Sequence, residues 1–233
     1  MKLERRRIDM KLKFVIDKQE DEKISKIMGI PIDYVQQQYK TSLKFLKLSQ
    51  KMYQKSWDEI NNDFSEYVER ITGYKWFYPE YKCILSMGVA GWAPWGEVNM
   101  IARYWKENPY YMRRITAHEL IEAHYFEIIK RYYSHEKLKD GQIWAIAEIA
   151  AWALTSLTPE VKKWWPWNTE YYTNHNYPHV VKIQLKLKDK FLKRRDFDEY
   201  IQEGIKLIKK YPNMDTKGYH KTPGNIYNRG IKK

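Results

Sequence analysis

One helix, predicted from its apolar pattern to be buried, carries a histidine and two glutamates at its centre. Residues Ile115–Ile129 read I-T-A-H-E-L-I-E-A-H-Y-F-E-I-I, with apolar residues recurring at helical spacing. His118 and Glu122 are one turn apart and project within about 40° of each other, and Glu119 lies at the edge of the same face. A buried carboxylate needs a partner, and a metal ion suits this set of side chains best.

A second helix shows the same conflict between an apolar surface and a charge. From Ile143 to Leu157 the chain reads I-W-A-I-A-E-I-A-A-W-A-L-T-S-L, in which Glu148 is the only charged residue. Asp140 is predicted to cap this helix. An isolated carboxylate among apolar side chains should be shielded, paired or metal-bound. The two helices therefore predict that Glu148 converges on the helix that carries His118.

The H-E-L-I-E sequence at residues 118–122 resembles the H-E-x-x-H helix of the zincin metallopeptidases. Glu148 stands where the glutamate-ligand branch, the gluzincins, has its third ligand on the following helix. The chain departs from the family pattern at Glu122, which replaces the second histidine. The resemblance covers about residues 55–157 and is specific in the order of its motifs.

Two predicted strands precede the His–Glu helix, as they do in zincins. Tyr81–Val89 and Glu97–Trp105 have the composition of strands, and the turn sequence G-W-A-P-W-G separates them. Zincins carry an edge strand in this region, along which an extended peptide substrate pairs. The resemblance therefore implies an α+β fold that is mostly helical, with a small antiparallel sheet beside the His–Glu helix.

The resemblance also implies a role for each polar residue. His118, Glu122 and Glu148 would bind one divalent ion, and Glu119 would be the general base that accepts a proton from water. Zinc is the expected metal, and the two carboxylates, as harder ligands, leave manganese and iron open. One imidazole and two carboxylates would also neutralise the ion, so that water bound to it is acidified less than with two imidazoles.

Other histidines and tyrosines are candidates for supporting roles. His124 points roughly 120° away from His118 around the helix and should not bind the same ion. The irregular aromatic stretch at residues 162–179 is predicted to be either a cleft wall or an aromatic plug that closes the core. Candidates for an oxyanion-stabilising or alternative ligand role, with surface or packing roles as the other interpretation, are His175, His179, Tyr171 and Tyr172.

The order of elements predicts one zincin-like domain over residues 1–210 and an extended basic tail over 211–233. The domain has three parts: an N-terminal strand and helices (1–73), strands and metal-site helices (74–158), and an aromatic loop and basic helices (159–210). The helices predicted outside the metal site are 20–28, 32–53, 57–71, 180–192 and 196–210, and a strand is predicted at 10–16.

The net charge of +13 would favour an anionic partner, but the charge lies apart from the predicted metal site. Residues 162–233 hold 17 Lys and Arg against 7 Asp and Glu, and residues 1–161 hold the remaining 25 against 22. The excess therefore belongs to the C-terminal third. Weak nonspecific binding of nucleic acid and a merely solvated basic surface are both consistent with it.

Composition also predicts the compartment. The single Cys83 excludes an internal disulfide and fits the reducing cytoplasm. No apolar run is long enough for a signal peptide or a membrane helix, so no membrane partner is expected. Abundant Lys, Glu, Ile and Tyr indicate a thermophilic source.

Three functions remain open at this point. The leading hypothesis is a zincin-like metallopeptidase that hydrolyses a peptide or protein substrate. One alternative is a zincin-like scaffold that has lost catalysis and acts as a binding protein. The other is a basic nucleic-acid-binding protein with an internal polar network.

Overall fold

The computed structural model describes residues 10–94, 99–166 and 178–214. Within these ranges the chain is mostly helical, with seven helices and one four-stranded sheet, which confirms the α+β prediction. In chain order the elements are β1 (Lys11–Val15), α1 (Lys18–Ile27), α2 (Ile32–Asp58), α3 (Asn61–Thr72), β2 (Glu80–Ser86), β3 (Gly91–Trp92), β4 (Met100–Tyr104), α4 (Met112–Tyr132), α5 (Asp140–Ser156), α6 (Pro178–Lys193) and α7 (Phe197–Ile208). None of the described helices is long and apolar enough to cross a lipid bilayer.

The two helices predicted to carry the metal site are present as α4 and α5. α4 begins at Met112, and ahead of it the side chain of Asn108 accepts hydrogen bonds from the backbone N–H groups of Tyr110 and Tyr111. Asp140 is the first residue of α5 rather than its cap. The cap contact comes instead from Gln142, whose side chain accepts from the backbone N–H of Lys139 at 3.0 Å.

The sheet is mixed, where the sequence predicted an antiparallel one. Its strand order is β1-β2-β4-β3, in which β1, β2 and β4 are parallel and only β3 runs antiparallel to its neighbour. Parallel neighbours require a crossover connection. Three helices supply it between β1 and β2, and β3 lies in the connection between β2 and β4. β3 occupies one edge of this sheet, so its outer side faces no other described strand.

The helices pack against the sheet and against one another, and α4 is the most deeply buried of the helices that contact the sheet. Phe14 of β1 packs edge-on against Tyr53 of α2 with ring centroids 5.6 Å apart, which places α2 on one side of the sheet. α4 contacts β3 and β4 of the sheet as well as α5, and α1 contacts β2 and α2. As a result, residues 116–129 of α4 are all buried.

The free edge of β1 is closed by side-chain amides instead of by a strand. Gln54 accepts from the N–H of Phe14 and donates to the carbonyl of Leu12, at 3.0 Å each. Asn61 accepts from the N–H of Leu12 at 3.3 Å and donates to the carbonyl of Met10 at 2.7 Å. These amides satisfy the backbone groups that would otherwise be open to pairing with another chain.

Asn61 is the residue of this edge whose loss should cost most stability. Its carbonyl oxygen also accepts from the indole N–H of Trp57 at 2.9 Å, so Asn61→Ala leaves three buried polar groups without partners. We expect the free energy of unfolding to fall by at least about 2 kcal/mol, measured by urea denaturation. Gln37→Ala on the exposed surface of α2 is the control and should change stability by less than about 0.5 kcal/mol. Equal stability of the two variants would contradict the role given to Asn61.

A buried carboxyl group joins α1 to the end of β2. Asp21 is fully buried, and its carboxylate accepts from the backbone N–H of Met87 at 2.9 Å. Burial raises the pKa of Asp21 to about 6, although hydrogen bonds from neighbours including Ser86 and Met87 oppose the increase. The folded protein therefore binds this proton more tightly than the unfolded chain does.

Asp21 should make the protein more stable as the pH falls from about 7 to 4. A folded pKa above the unfolded value means that ionisation costs stability, and protonation removes a cost of roughly 2–3 kcal/mol. Asp21→Asn lacks this titration. The free energy of unfolding of the wild type minus that of the variant should therefore rise as the pH is lowered. A difference that stays constant or falls would show that ionisation of Asp21 does not destabilise the folded protein.

Candidate metal centre

The centre of α4 buries the polar side chains that the motif singled out. His118 is 4% exposed, Glu119 6% and Glu122 1%. The helix cannot turn these groups towards solvent, because both the sheet and α5 pack against it and residues 116–129 are all buried. Burying charged groups without partners is costly, so their mutual geometry determines how the site can be stable.

Glu148 reaches the same place from α5. It lies one turn from Trp144 and one turn from Trp152, both buried, and its own side chain is also buried. One carboxylate oxygen, Oε2, lies 3.1 Å from Nε2 of His118. The packing of α4 against α5 therefore brings together two residues that are 30 positions apart in the chain.

His118, Glu122 and Glu148 form a compact group that could hold a metal ion. Nε2 of His118 is 3.6 Å from Oε1 of Glu122, and the three potential ligand atoms all lie within 4.8 Å of one another. Oε1 of Glu122 is buried and makes no hydrogen bond within the described structure. A cation bound by all three residues would satisfy this orphaned oxygen, and one imidazole with two carboxylates is a donor set that divalent metals accept.

The charges of the metal-free site perturb one another strongly. Burial raises the pKa of Glu122 well above its usual value, and the negative charge of Glu148 adds to the increase. Burial alone would lower the pKa of His118, but the adjacent carboxylates of Glu122 and Glu148 outweigh it and raise the pKa to about 10. In the absence of a metal, these shifts favour the protonated form of His118 and the neutral form of Glu122.

Glu119 lies beside this group, beneath the edge strand of the sheet. A Cβ atom built on Gly91 of β3 would lie 2.1 Å from Oε1 of Glu119 and 3.1 Å from Cγ2 of Ile115. Only glycine therefore lets β3 approach α4 this closely. Burial raises the pKa of Glu119 to about 7, an increase that the charge of His118 partly opposes. The strand and the carboxylate form one wall of the site.

The structure brings together the residues predicted as ligands but leaves some of the supporting candidates untested. His124 lies away from the site, as predicted, with its ring 4.6 Å from that of Trp76. His179 belongs to α6, but its side chain is outside the described part. His175, Tyr171 and Tyr172, together with residues 97–98 of the predicted second strand, also lie outside the described residues.

Sequence reasoning missed Gly91 and Arg103. Arg103 is a fully buried residue of β4 that pairs with Gly91 in the sheet and forms an ion pair with Glu107. Its Nε and Nη1 atoms make no hydrogen bond to any described residue, and its charge lowers the pKa of Glu119. A charged residue in the apolar strand sequence M-I-A-R-Y was a signal of the same kind as Glu148. Gly91 gave no comparable signal, because its role depends on the approach of β3 to α4.

Comparison with known proteins adds nothing to this geometry: no family model, no curated protein and no solved structure matches the chain. The similarity to zincins therefore rests on the H-E-x-x-E sequence and on the position of Glu148. The structure supports the part of it that concerns metal binding, because the predicted ligands lie in one buried group.

Gly91→Ala tests the close approach of β3 to Glu119. The new methyl group would overlap the buried carboxylate, and we expect a loss of roughly 1–3 kcal/mol in the free energy of unfolding. Gly204→Ala in α7 is the matched control, since its Cβ would meet no heavy atom closer than 3.9 Å. That variant should be as stable as the wild type or more stable by up to about 1 kcal/mol. A Gly91→Ala protein as stable as the wild type would rule out this contact.

Proposed function

We propose that this protein is a metal-dependent hydrolase, acting on peptide bonds in the manner of a zincin-like metallopeptidase. The observation that carries the proposal is the buried group of His118, Glu122 and Glu148, with ligand atoms within 4.8 Å of one another. Two carboxylates and one imidazole balance the charge of a divalent cation. Zinc fits such a site, and so do manganese and iron, because both accept carboxylate ligands.

Each residue has a distinct role in this proposal. A divalent ion held by the three ligands would supply Lewis acidity towards water and towards a carbonyl group. Glu119 is adjacent to the first ligand and is the base that accepts a proton from the attacking water and returns it to the leaving nitrogen. Its buried position excludes bulk water, which would otherwise compete for that proton.

The edge strand supports a peptide as the substrate. β3 pairs with β4 on one side only, and its outer edge has no neighbour among the described strands. An extended peptide can add to such an edge through backbone hydrogen bonds. A peptide bound there would run past Gly91, next to the carboxylate of Glu119.

A second candidate function is a metal-binding scaffold without catalysis. The observation that favours it is the closure of the site, since His118, Glu119, Glu122 and Glu148 are each less than 10% exposed. Glu122 in place of a second histidine also favours a scaffold without catalysis, because ligands that neutralise the metal ion leave its bound water less acidic. The two candidates share the metal and differ in whether Glu119 has a chemical role.

Purified protein should contain about one equivalent of a divalent metal, which His118→Ala or Glu148→Gln should abolish. Removing one of three ligands leaves too few to retain an ion through purification. Glu127→Gln is the matched control, because Glu127 is a buried carboxylate of the same helix that pairs with Lys130 and Arg131 instead. It should retain the metal. Elemental analysis that finds no metal in the wild type, with no uptake on reconstitution, would exclude both candidate functions.

Glu119→Gln and Glu122→His separate catalysis from metal binding. Glu119→Gln should abolish cleavage of an unstructured protein substrate while leaving the metal bound, since it removes only the base. Glu122→His keeps the i, i+4 geometry, so we expect it to fold, to prefer zinc more strongly and to cleave at least as fast as the wild type.

The metal content and the rate of substrate cleavage are measured with and without Glu119→Gln, both in the wild-type protein and in the Glu122→His variant. Metal-loaded wild type and Glu122→His proteins that are both inactive would favour the scaffold. Unchanged metal content and thermal stability in both Glu122→His and Glu122→Gln would show that Glu122 is not a ligand.

A further inference from the structure

The outer surface of α2 carries a row of lysines that the metal site does not explain. Lys40, Lys44, Lys47, Lys51 and Lys55 follow one another at spacings of three or four residues, and all are exposed. Such spacing aligns them along one side of the helix over about 22 Å. No Asp or Glu occurs between residues 34 and 57. Within the described part of the chain, no carboxylate forms a salt bridge with any of the five.

An apolar row lies beside the lysines. Phe45, Leu48 and Met52 are 59%, 54% and 45% exposed, and their spacing of three and four residues also aligns them. At about 100° per residue, this row is centred roughly 90–100° from the lysine row. Both rows lie away from the buried side of the helix, where Leu46 and Tyr53 pack into the core. Neither row is therefore part of the buried core of the domain.

Two exposed tyrosines lie in the loop that is bound to the end of α2. Ser56, one turn after Met52, donates to the carbonyl of Pro109 at 2.7 Å. This contact holds the loop before α4 against the end of α2. Tyr110 and Tyr111 follow directly in that loop and are 51% and 59% exposed. The outer surface of α2 thus combines five cations, three exposed apolar side chains and two neighbouring tyrosines.

We propose that this outer surface of α2 binds the surface of a lipid bilayer that contains anionic lipids. Lysines on a helix attract a negatively charged bilayer, and adjacent apolar side chains can enter the boundary between headgroups and acyl chains. Tyrosine is enriched at that depth because it has an apolar ring and a polar hydroxyl. Attachment of this kind is peripheral and needs no membrane-spanning helix.

The chemistry of the surface favours a bilayer over the two other anionic partners. An acidic protein segment is bound best by arginine, whose planar guanidinium pairs with a carboxylate at two points, and all five cations here are lysines. Nucleic acid would be bound through phosphate contacts by the lysines alone, which leaves the exposed Phe45, Leu48 and Met52 without a role. A diffuse layer of lipid charge over an apolar interior uses both rows.

Sedimentation with vesicles tests the proposal. Wild-type protein should bind vesicles of equal parts phosphatidylcholine and phosphatidylserine and should not bind vesicles of phosphatidylcholine alone. Lys44→Gln/Lys51→Gln should weaken binding at least about tenfold, because each lysine near an anionic surface contributes about a fivefold factor. Phe45→Ser/Leu48→Ser should weaken binding at least about fivefold, since apolar insertion is lost.

Two double variants of α6 are matched controls. Leu185→Ser/Leu192→Ser replaces apolar residues that are 58% and 54% exposed, nearly the same as Phe45 and Leu48. Lys182→Gln/Lys193→Gln removes two exposed lysines and thus the same charge as the α2 pair. Both controls should bind the mixed vesicles as the wild type does. Circular dichroism and thermal unfolding verify that all variants are folded.

Three results would overturn the proposal. A wild-type protein that does not bind the mixed vesicles would exclude a bilayer and leave an acidic protein as the candidate partner. Vesicle binding that survives Phe45→Ser/Leu48→Ser, or that falls equally in the α6 controls, would show general charge attraction. Binding to a short DNA duplex that Lys44→Gln/Lys51→Gln abolishes, without vesicle binding, would assign the lysine row to nucleic acid.

Discussion

Negative charge buried between α4 and α5 is the constraint on which the rest of the site depends. The carboxylates of Glu122 and Glu148 each lie near Nε2 of His118, and all three groups are buried. In an interior of low dielectric constant, two such carboxylates repel each other unless positive charge or protons lie between them. An imidazolium at His118 compensates one of them, and a divalent cation would compensate both. The buried Arg103 forms its ion pair with Glu107 and acts on the neighbouring Glu119, whose pKa its charge lowers.

Three features of the surrounding structure suit a site in which buried carboxylates need a compensating cation. α5 carries five alanines, all buried, and small side chains allow a helix to pack closely against its neighbour. Gly91 lets the edge strand approach Glu119 where any side chain would collide with it. The burial of residues 116–129 on all sides fixes the orientation of α4. A site held this rigidly suits a metal ion, because its ligands lose little freedom when the ion binds.

The sequence predicted the residues of the candidate site better than their surroundings, for a physical reason. His118 and Glu122 follow the helical repeat, and Glu148 is a lone charge in an apolar helix, so local rules were sufficient to find all three. Strand direction is not a local property, because parallel and antiparallel strands can share the same pattern, and the prediction of an antiparallel sheet was wrong. The hydrogen bonds from Gln54 and Asn61 to the sheet edge could not be predicted either, because the sequence does not distinguish an amide that binds a strand from an amide exposed to solvent.

The most direct test of the central claim is the thermal unfolding of chelator-treated protein titrated with a divalent metal. If His118, Glu122 and Glu148 bind one ion, the Tm should rise and the increase should saturate at one equivalent, because an ion that binds only the folded state stabilises it. Glu148→Gln should show no such increase. An unchanged Tm of the wild-type protein in saturating zinc, manganese and iron(II) would contradict a metal centre at this site.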